Sequence, residues 1–263
     1  MLKPKRSLGQ NFLIDPNTIR KIVKVGNINN HNIIEIGPGT GNLTIEILKK
    51  KIKKIILIEK DAHLCKTLNV KLDTLKNIKI MNKDILKIDL EKIININTII
   101  FGNLPYNISS QILISLIKLD KWLPKYCRLV FMFQKEMADR ILAKTNSNDY
   151  GRLSVITNYR LKVINSFQVS KNCFFPKPKV DSTILVFEPK KLKGTNIKDI
   201  QNLEKITQMF FTSRRKMVNK KLKSLFNNYK SLAKKLNINL SSRPSEISPA
   251  QYYKITEYFE KLI

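Results

Sequence analysis

Short apolar runs at residues 33–36, 55–58, 78–81, 99–101 and 129–133, separated by stretches of helical periodicity, restrict this chain more than any other feature of its sequence. Runs of that length without polar alternation suit strands buried on both faces, the condition of a parallel sheet covered by helices. Crossover helices are expected after Gly41, Ala62, Ser109 and Lys135, so the predicted fold class is α/β, a doubly wound sheet. Asp15 followed by Pro16 reads as an N-cap with proline at the first helical position, opening a helix that runs to about Gly26. Two further apolar runs, 163–169 and 183–187, are bounded by turn residues and suit an antiparallel edge hairpin.

The character of the chain changes after Glu188-Pro189. Lys190, Lys191, Lys193 and Gly194 form a polar linker, no glycine follows Gly194, and the remainder is helical in pattern. The expected division is an α/β domain over residues 1–187 and a small helical domain over 188–263. Between Glu204 and Glu246 there is no carboxylate, while Arg214, Arg215, Lys216, Lys220, Lys221, Lys223, Lys230, Lys234 and Lys235 cluster there. Across the chain, 49 Lys and Arg stand against 20 Asp and Glu, a net charge of +29. Self-repulsion on that scale favours a polyanionic partner, nucleic acid before an acidic membrane surface, although a Lys-rich genome alone raises the same number. A basic stretch emptied of acids points to a nucleic-acid surface.

Other classes fall away. No stretch approaches the roughly 18 apolar residues that span a bilayer, and residues 1–12 hold no signal core, so a cytoplasmic location without membrane attachment is expected. Cys65, Cys127 and Cys173 are too dispersed for a metal pair or a disulfide framework, and neither His31 nor His63 has a partner motif, so no metal site and no histidine acid or base is expected.

Chemistry concentrates at the ends of the predicted strands. Glu35-Ile36-Gly37-Pro38-Gly39-Thr40-Gly41 follows the first long strand; Gly37 and Gly39 let the backbone turn and approach a nucleotide ahead of a helix N-terminus. Glu59, 18 residues beyond Gly41, ends the next strand, where its carboxylate can accept from both hydroxyls of a ribose. Asp84, after the third strand, is placed to meet an adenine amino group. These features alone also fit an NAD enzyme. The spacing here is GxGxG with an acid two residues ahead, which suits a cofactor that carries an ammonium and lacks a pyrophosphate.

At the end of the fourth strand stands Asn103-Leu104-Pro105-Tyr106. The N6 of adenine is a poor nucleophile because its lone pair is delocalised into the ring. If the Asn103 side-chain oxygen and the Leu104 carbonyl accept its two N–H groups, the nitrogen is drawn toward tetrahedral geometry and can attack a methyl group. Pro105 stiffens the turn, and Tyr106 offers a ring for a base taken out of its stack. A strand-end turn with a packed tyrosine is the plainer alternative, and the glycine loop on the same sheet makes it the weaker one.

With these residues in view, the chain resembles the bacterial 16S ribosomal RNA adenine dimethyltransferases, the KsgA or RsmA family, over nearly its whole length. The likeness runs through Gly9-Gln10-Asn11-Phe12-Leu13, the glycine loop, Glu59-Lys60-Asp61, Asp84 and the Asn103 turn extended by Asn107-Ile108-Ser109. It continues through Gln134-Lys135-Glu136, Tyr150-Gly151-Arg152-Leu153-Ser154 and Phe174-Phe175-Pro176-Lys177-Pro178-Lys179-Val180-Asp181-Ser182. The tail shares Arg214-Arg215-Lys216, Asn219, Leu222, Arg243, Glu246, Ser248 and Gln251, whereas macrolide-resistance enzymes and mitochondrial transcription factors with the same catalytic half lack this tail or modify it. Departures are modest: Ser110-Gln111 for a usual Thr-Pro, Thr40 and Asn42 for apolar or small residues, and Pro244 for a common alanine.

The resemblance implies a Rossmann-like class I methyltransferase fold with a helical RNA-docking domain, S-adenosylmethionine as cofactor, and a chain that acts as a monomer. It implies dimethylation of N6 at two adjacent adenosines near the 3' end of 16S RNA, in the small ribosomal subunit or its precursor, with a role in subunit biogenesis. Cofactor contacts carry over to Asn11, Leu13, Gly37, Gly39, Glu59, Asp84 and Asn103, and catalytic roles to Asn103, Leu104, Tyr106 and Phe174, the last as a second ring over the target base.

Overall fold

The computed structural model of the chain describes residues 10–192 and 194–263, so Gly9 of the N-terminal motif and Lys193 of the linker lie outside the described residues. The described chain opens on a two-residue strand, β1 (Phe12–Leu13), and the helix α1 (Pro16–Gly26). Asp15 caps α1 as its sequence context predicts, its carboxylate accepting from the Thr18 N–H at 2.7 Å, and Asn27 ends the helix in the left-handed region at φ 49°. Ile19, Ile22 and Val23 recur at helical spacing and are buried, so α1 docks by one apolar stripe.

Strand and helix then alternate: β2 (Asn32–Ile36), α2 (Asn42–Leu48), β3 (Lys54–Glu59), α3 (Ala62–Leu72), β4 (Ile78–Asn82), the short α4 (Leu90–Ile93), β5 (Thr98–Asn103), α5 (Ser109–Ile117), β6 (Tyr126–Gln134) and α6 (Lys135–Leu142). After α7 (Arg152–Arg160) come β7 (Leu161–Val169), β8 (Phe174–Phe175) and β9 (Ser182–Pro189). Seven strands form one sheet in the order β4-β3-β2-β5-β6-β9-β7. β2 to β6 pair in parallel, and successive residues such as Ile33 and Ile34 are both buried, because helices cover both faces. Each large aliphatic side chain removed from water in this way contributes about 1.5–3 kcal/mol.

The two runs expected to form an edge hairpin are neighbours at one end of the sheet, with the later strand on the inside. β9 lies between β6 and β7 and runs antiparallel to β6, with Phe131 opposite Leu185. The physical reason is burial: residues 184–187 of β9 are all inaccessible, whereas β7 exposes Lys162, Ile164, Asn165 and Ser166 and suits the edge.

The chain divides into two compact units, residues 10–138 with 162–189, and 139–161 with 190–263. This differs from a single boundary between 187 and 188, because residues 139–161, with α7, pack among the C-terminal helices. Those helices are α8 (Ile200–Phe211), α9 (Asn219–Leu225), α10 (Tyr229–Lys235) and α11 (Pro249–Phe259). The Tyr150 hydroxyl, buried with its ring, donates to the Ile247 carbonyl at 2.9 Å, the Tyr253 hydroxyl donates to the Val155 carbonyl at 3.3 Å, and Arg152 pairs with Glu204 at 2.6 Å. Edge-to-face contacts of Tyr150 with Phe211 and Phe210 with Tyr252 fill the centre of this unit. No helix among the described residues is long and apolar enough to cross a membrane.

Candidate active site

The order β4-β3-β2-β5 places the first long strand in the middle, so the chain reverses direction across the sheet between β2 and β5, where the carboxyl ends of open α/β sheets leave a crevice. Register aligns those ends: Ile36 sits opposite Ile58 on one side and Gly102 on the other, and Glu59 opposite Asn82. The glycine loop, Glu59, Asp84 and Asn103, distant in sequence, therefore line one pocket, together with Asn11, Phe12, Leu13, Gly37, Gly39, Leu104 and Tyr106.

The glycine loop takes the conformation its sequence requires. Gly37 and Gly39 have φ of +67° and +57°, a region that favours glycine. At Gly39 a Cβ would also meet the Phe12 ring at 2.9 Å, so this glycine lets the β1 segment lie directly against the loop. Gly102 serves Leu104 in the same manner, since a Cβ there would run into its side chain.

Glu59 is buried, and each of its oxygens takes one backbone N–H: Gly39 N to Oε2 at 3.2 Å and Asp61 N to Oε1 at 2.8 Å. A carboxylate has about four lone-pair positions, so both oxygens keep accepting capacity. Burial pushes the Glu59 carboxyl up from its ordinary value, against the pull of those N–H bonds. Glu35 is more deeply buried, accepts from the Thr44 hydroxyl at 2.7 Å, and is pushed up to about 7, mainly by burial, with the nearby Glu59 carboxylate adding to the rise. Asp84 accepts from the Leu86 N–H at 3.1 Å and from the Lys60 ammonium at 2.9 Å, and that ammonium holds its carboxyl below the ordinary value.

At the end of β5, the Asn103 side-chain amide donates through Nδ2 to the Asn11 carbonyl at 3.0 Å, which fixes the orientation of the amide. Tyr106 is held at both ends: its carbonyl accepts from the Ser109 hydroxyl at 3.1 Å, and its own hydroxyl bonds Ser182 Oγ at 2.9 Å. Partial burial raises the Tyr106 phenol above its ordinary value, against the pull of the Ser182 hydrogen bond. Leu13 has its side chain in the core and its carbonyl bonded by Asn42 Nδ2 at 2.9 Å, so the polar residue that departs from the family pattern ties the β1 segment to α2.

Phe174 is the one expected site residue that the structure does not bring to the pocket. It is 3% exposed within the hydrophobic cluster that also holds Leu13, Ile19 and Val169. β8 pairs with β1 so that Phe174 faces Leu13 and Phe175 faces Phe12; alternation along the strand sends Phe174 inward and leaves Phe175 60% exposed. The partners of Lys60, Asn42 and Ser182 are not legible locally, because each acts on a residue from another element. Only a three-dimensional neighbour relation reveals them.

The donor set fits S-adenosylmethionine. Glycines without side chains line the loop, Glu59 offers spare acceptors to a ribose, and Asp84 offers one to an adenine amino group. Glu35 and Glu59 both line the pocket, and acids there suit a ligand that carries an ammonium better than one that carries a pyrophosphate.

Comparison with known proteins agrees. The family model described as "Ribosomal RNA adenine dimethylase" matches residues 1–261. "Ribosomal RNA small subunit methyltransferase A" of Pelagibacter ubique is 45% identical, over 99% of this chain and 98% of that protein. The protein of the same name from Francisella tularensis subsp. novicida is 39% identical over 97% of each. Among solved structures, a dimethyladenosine transferase from Plasmodium falciparum superposes with a TM-score of 0.77 at 25% identity, covering 95% of this chain and 98% of that one. A pocket at the carboxyl edge of β2, β3 and β5, carried by a sequence that the family's description spans almost from end to end, leads to one assignment: the chain belongs to the ribosomal RNA adenine dimethylase family.

Proposed function

We propose that this protein transfers methyl groups from S-adenosylmethionine to N6 of two adjacent adenosines near the 3' end of 16S RNA. The product is N6,N6-dimethyladenosine, formed in the small subunit or its precursor during subunit biogenesis, in the cytoplasm, by a monomer. The observation that carries this reading is the Asn103 turn in the same pocket as the glycine loop, its amide already oriented by the Asn11 carbonyl.

S-adenosylmethionine supplies an electrophilic methyl group on a sulfonium. Glu59 receives the ribose hydroxyls and Asp84 the adenine amino group, while Gly37 and Gly39 admit the ligand close to the backbone. Asn11 and Leu13, held by Asn103 and Asn42, border the pocket on the side of β1. Asn103 Oδ1 and the Leu104 carbonyl accept the two N–H groups of the target adenine, which localises its lone pair for attack, and the Tyr106 ring stacks on the base. Most of the rate comes from holding the reacting atoms in line. The proton of the newly alkylated nitrogen passes to water, since that nitrogen is strongly acidic once it carries the extra bond.

The test is a mass-spectrometric map of methylated adenosines after incubation of purified protein with S-adenosylmethionine and unmethylated small-subunit particles. Dimethylation at two neighbouring adenosines is expected, and Asn103→Ala should keep cofactor affinity while losing about a hundredfold in single-turnover rate. Methylation confined to large-subunit RNA, or none with wild-type protein, overturns the reading.

A further inference from the structure

Phe175 is an aromatic side chain, exposed to water, that neither the fold nor the pocket explains. Its neighbour Phe174 is buried, yet Phe175 leaves 60% of its surface in water. Register places it: Phe175 is opposite Phe12 in the β1–β8 ribbon, and Phe12 is a wall of the pocket, packed against Gly39. From Phe175 the chain passes through residues 176–181 and enters β9 at Ser182, whose hydroxyl bonds Tyr106. One short arch thus joins the strand partner of one pocket-lining ring, Phe12, to the hydrogen-bond partner of another, Tyr106. Its exposed side chains are Phe175, Lys177, Lys179, Val180 and Asp181, and the Asp181 carboxylate is already engaged by the Lys171 backbone N–H at 2.9 Å.

We propose that Phe175 is a stacking platform for the nucleotide next to the target adenosine, with Lys177 and Lys179 receiving the adjoining phosphates. This rests on the reading that the substrate is RNA. A polymer substrate whose base enters the pocket must lay its neighbouring nucleotides on the pocket's rim, where their stacking with the extruded base has been lost. An exposed aromatic ring replaces that stacking for any base, and two exposed ammonium groups on the same arch match the charge of the backbone. Phe175 does not line the pocket, so it serves a flanking base and leaves the target base to Tyr106.

The experiment is a cycle between protein and RNA, read in binding affinity. The protein is wild type, Phe175→Ala or Phe175→Trp. The RNA is a small-subunit fragment containing the target adenosines, intact or abasic at the nucleotide on one side of the target or the other. Phe175→Ala should weaken binding of intact RNA by roughly five- to a hundredfold, the scale of one base–aromatic contact. The abasic change at one of the two neighbours should cost the wild type a similar factor and cost Phe175→Ala nothing further. Phe175→Trp should retain affinity, and S-adenosylmethionine affinity should be the same in all three proteins. Unchanged RNA affinity in Phe175→Ala, independent additive losses at both neighbours, or a parallel fall in cofactor affinity overturns the proposal; the last would make Phe175 a support for the Phe12 wall. Methyl transfer by the wild type is measured separately, so failure of the RNA methyltransferase reading is distinguishable from failure of this cycle.

Discussion

At the scale of single residues, the most unusual group is Glu35, a buried acid in β2 just ahead of the glycine loop that lines the pocket. Its folded-state value of about 7 lies above the ordinary 4.5, because ionisation there costs more than in water. A carboxyl raised in this direction contributes stability that is fully present below pH 4.5 and is lost as pH rises through about 7. Between pH 4.5 and 8 the wild type should therefore lose on the order of 3 kcal/mol of unfolding free energy through this residue, and Glu35→Gln should flatten the profile. Denaturant unfolding at several pH values measures this, and identical profiles would remove Glu35 from the account. A cationic ligand beside Glu35 favours its ionised form, so S-adenosylmethionine binding near neutral pH should release protons, visible as a buffer-dependent heat that Glu35→Gln lacks.

At the scale of elements, the two-residue strands β1 and β8 matter more than their length suggests. They bring Asn11 to Asn103, Phe12 to Gly39 and Leu13 to Asn42, so one wall of the pocket is built by a segment that has no other place in the sheet. Phe174 anchors this ribbon from inside. Phe174→Ala should cost about 3–5 kcal/mol of stability, the range for a buried phenylalanine, and Phe174→Leu should recover much of it. If Phe174→Ala instead unfolds like the wild type and loses only RNA-dependent turnover, the ring belongs to the substrate and its buried position is not its working one.

At the scale of the whole molecule, the question is where a +29 chain meets a polyanion. In the helical unit, Arg215, Lys216, Lys220 and Lys223 are exposed, while Lys221 is half-buried and the Arg214 guanidinium is committed to the carbonyls of Asn148 and Ser147. If the exposed four contact phosphates, log affinity for ribosomal particles should fall with log salt by about 0.7–0.9 per contact. Replacing Arg215, Lys216, Lys220 and Lys223 by glutamate should flatten that slope and weaken binding with cofactor affinity unchanged. An unaltered slope would assign docking to the basic surface of the α/β unit, and replacing Arg214 should disturb folding of residues 147–148 more than it alters the slope.

The sheet, its crossover helices and the strand-end placement of Gly37, Gly39, Glu59, Asp84 and Asn103 were legible in the sequence. Buried parallel strands must be short and apolar, and a residue just past such a strand has only the carboxyl edge to occupy. The glycines and the Asn103 turn were legible for a similar reason, since their chemistry is local to a few consecutive residues. Tertiary structure alone decided what depends on residues far apart in the chain. Residues 139–161 join the helical unit because Tyr150, Arg152 and Val155 find their partners at Ile247, Glu204 and Tyr253. Two adjacent phenylalanines are equal in composition and hydropathy, and only pairing of β8 with β1 sends Phe174 into the core and Phe175 to the surface, because a strand turns successive side chains to opposite faces and its partner determines which face is buried.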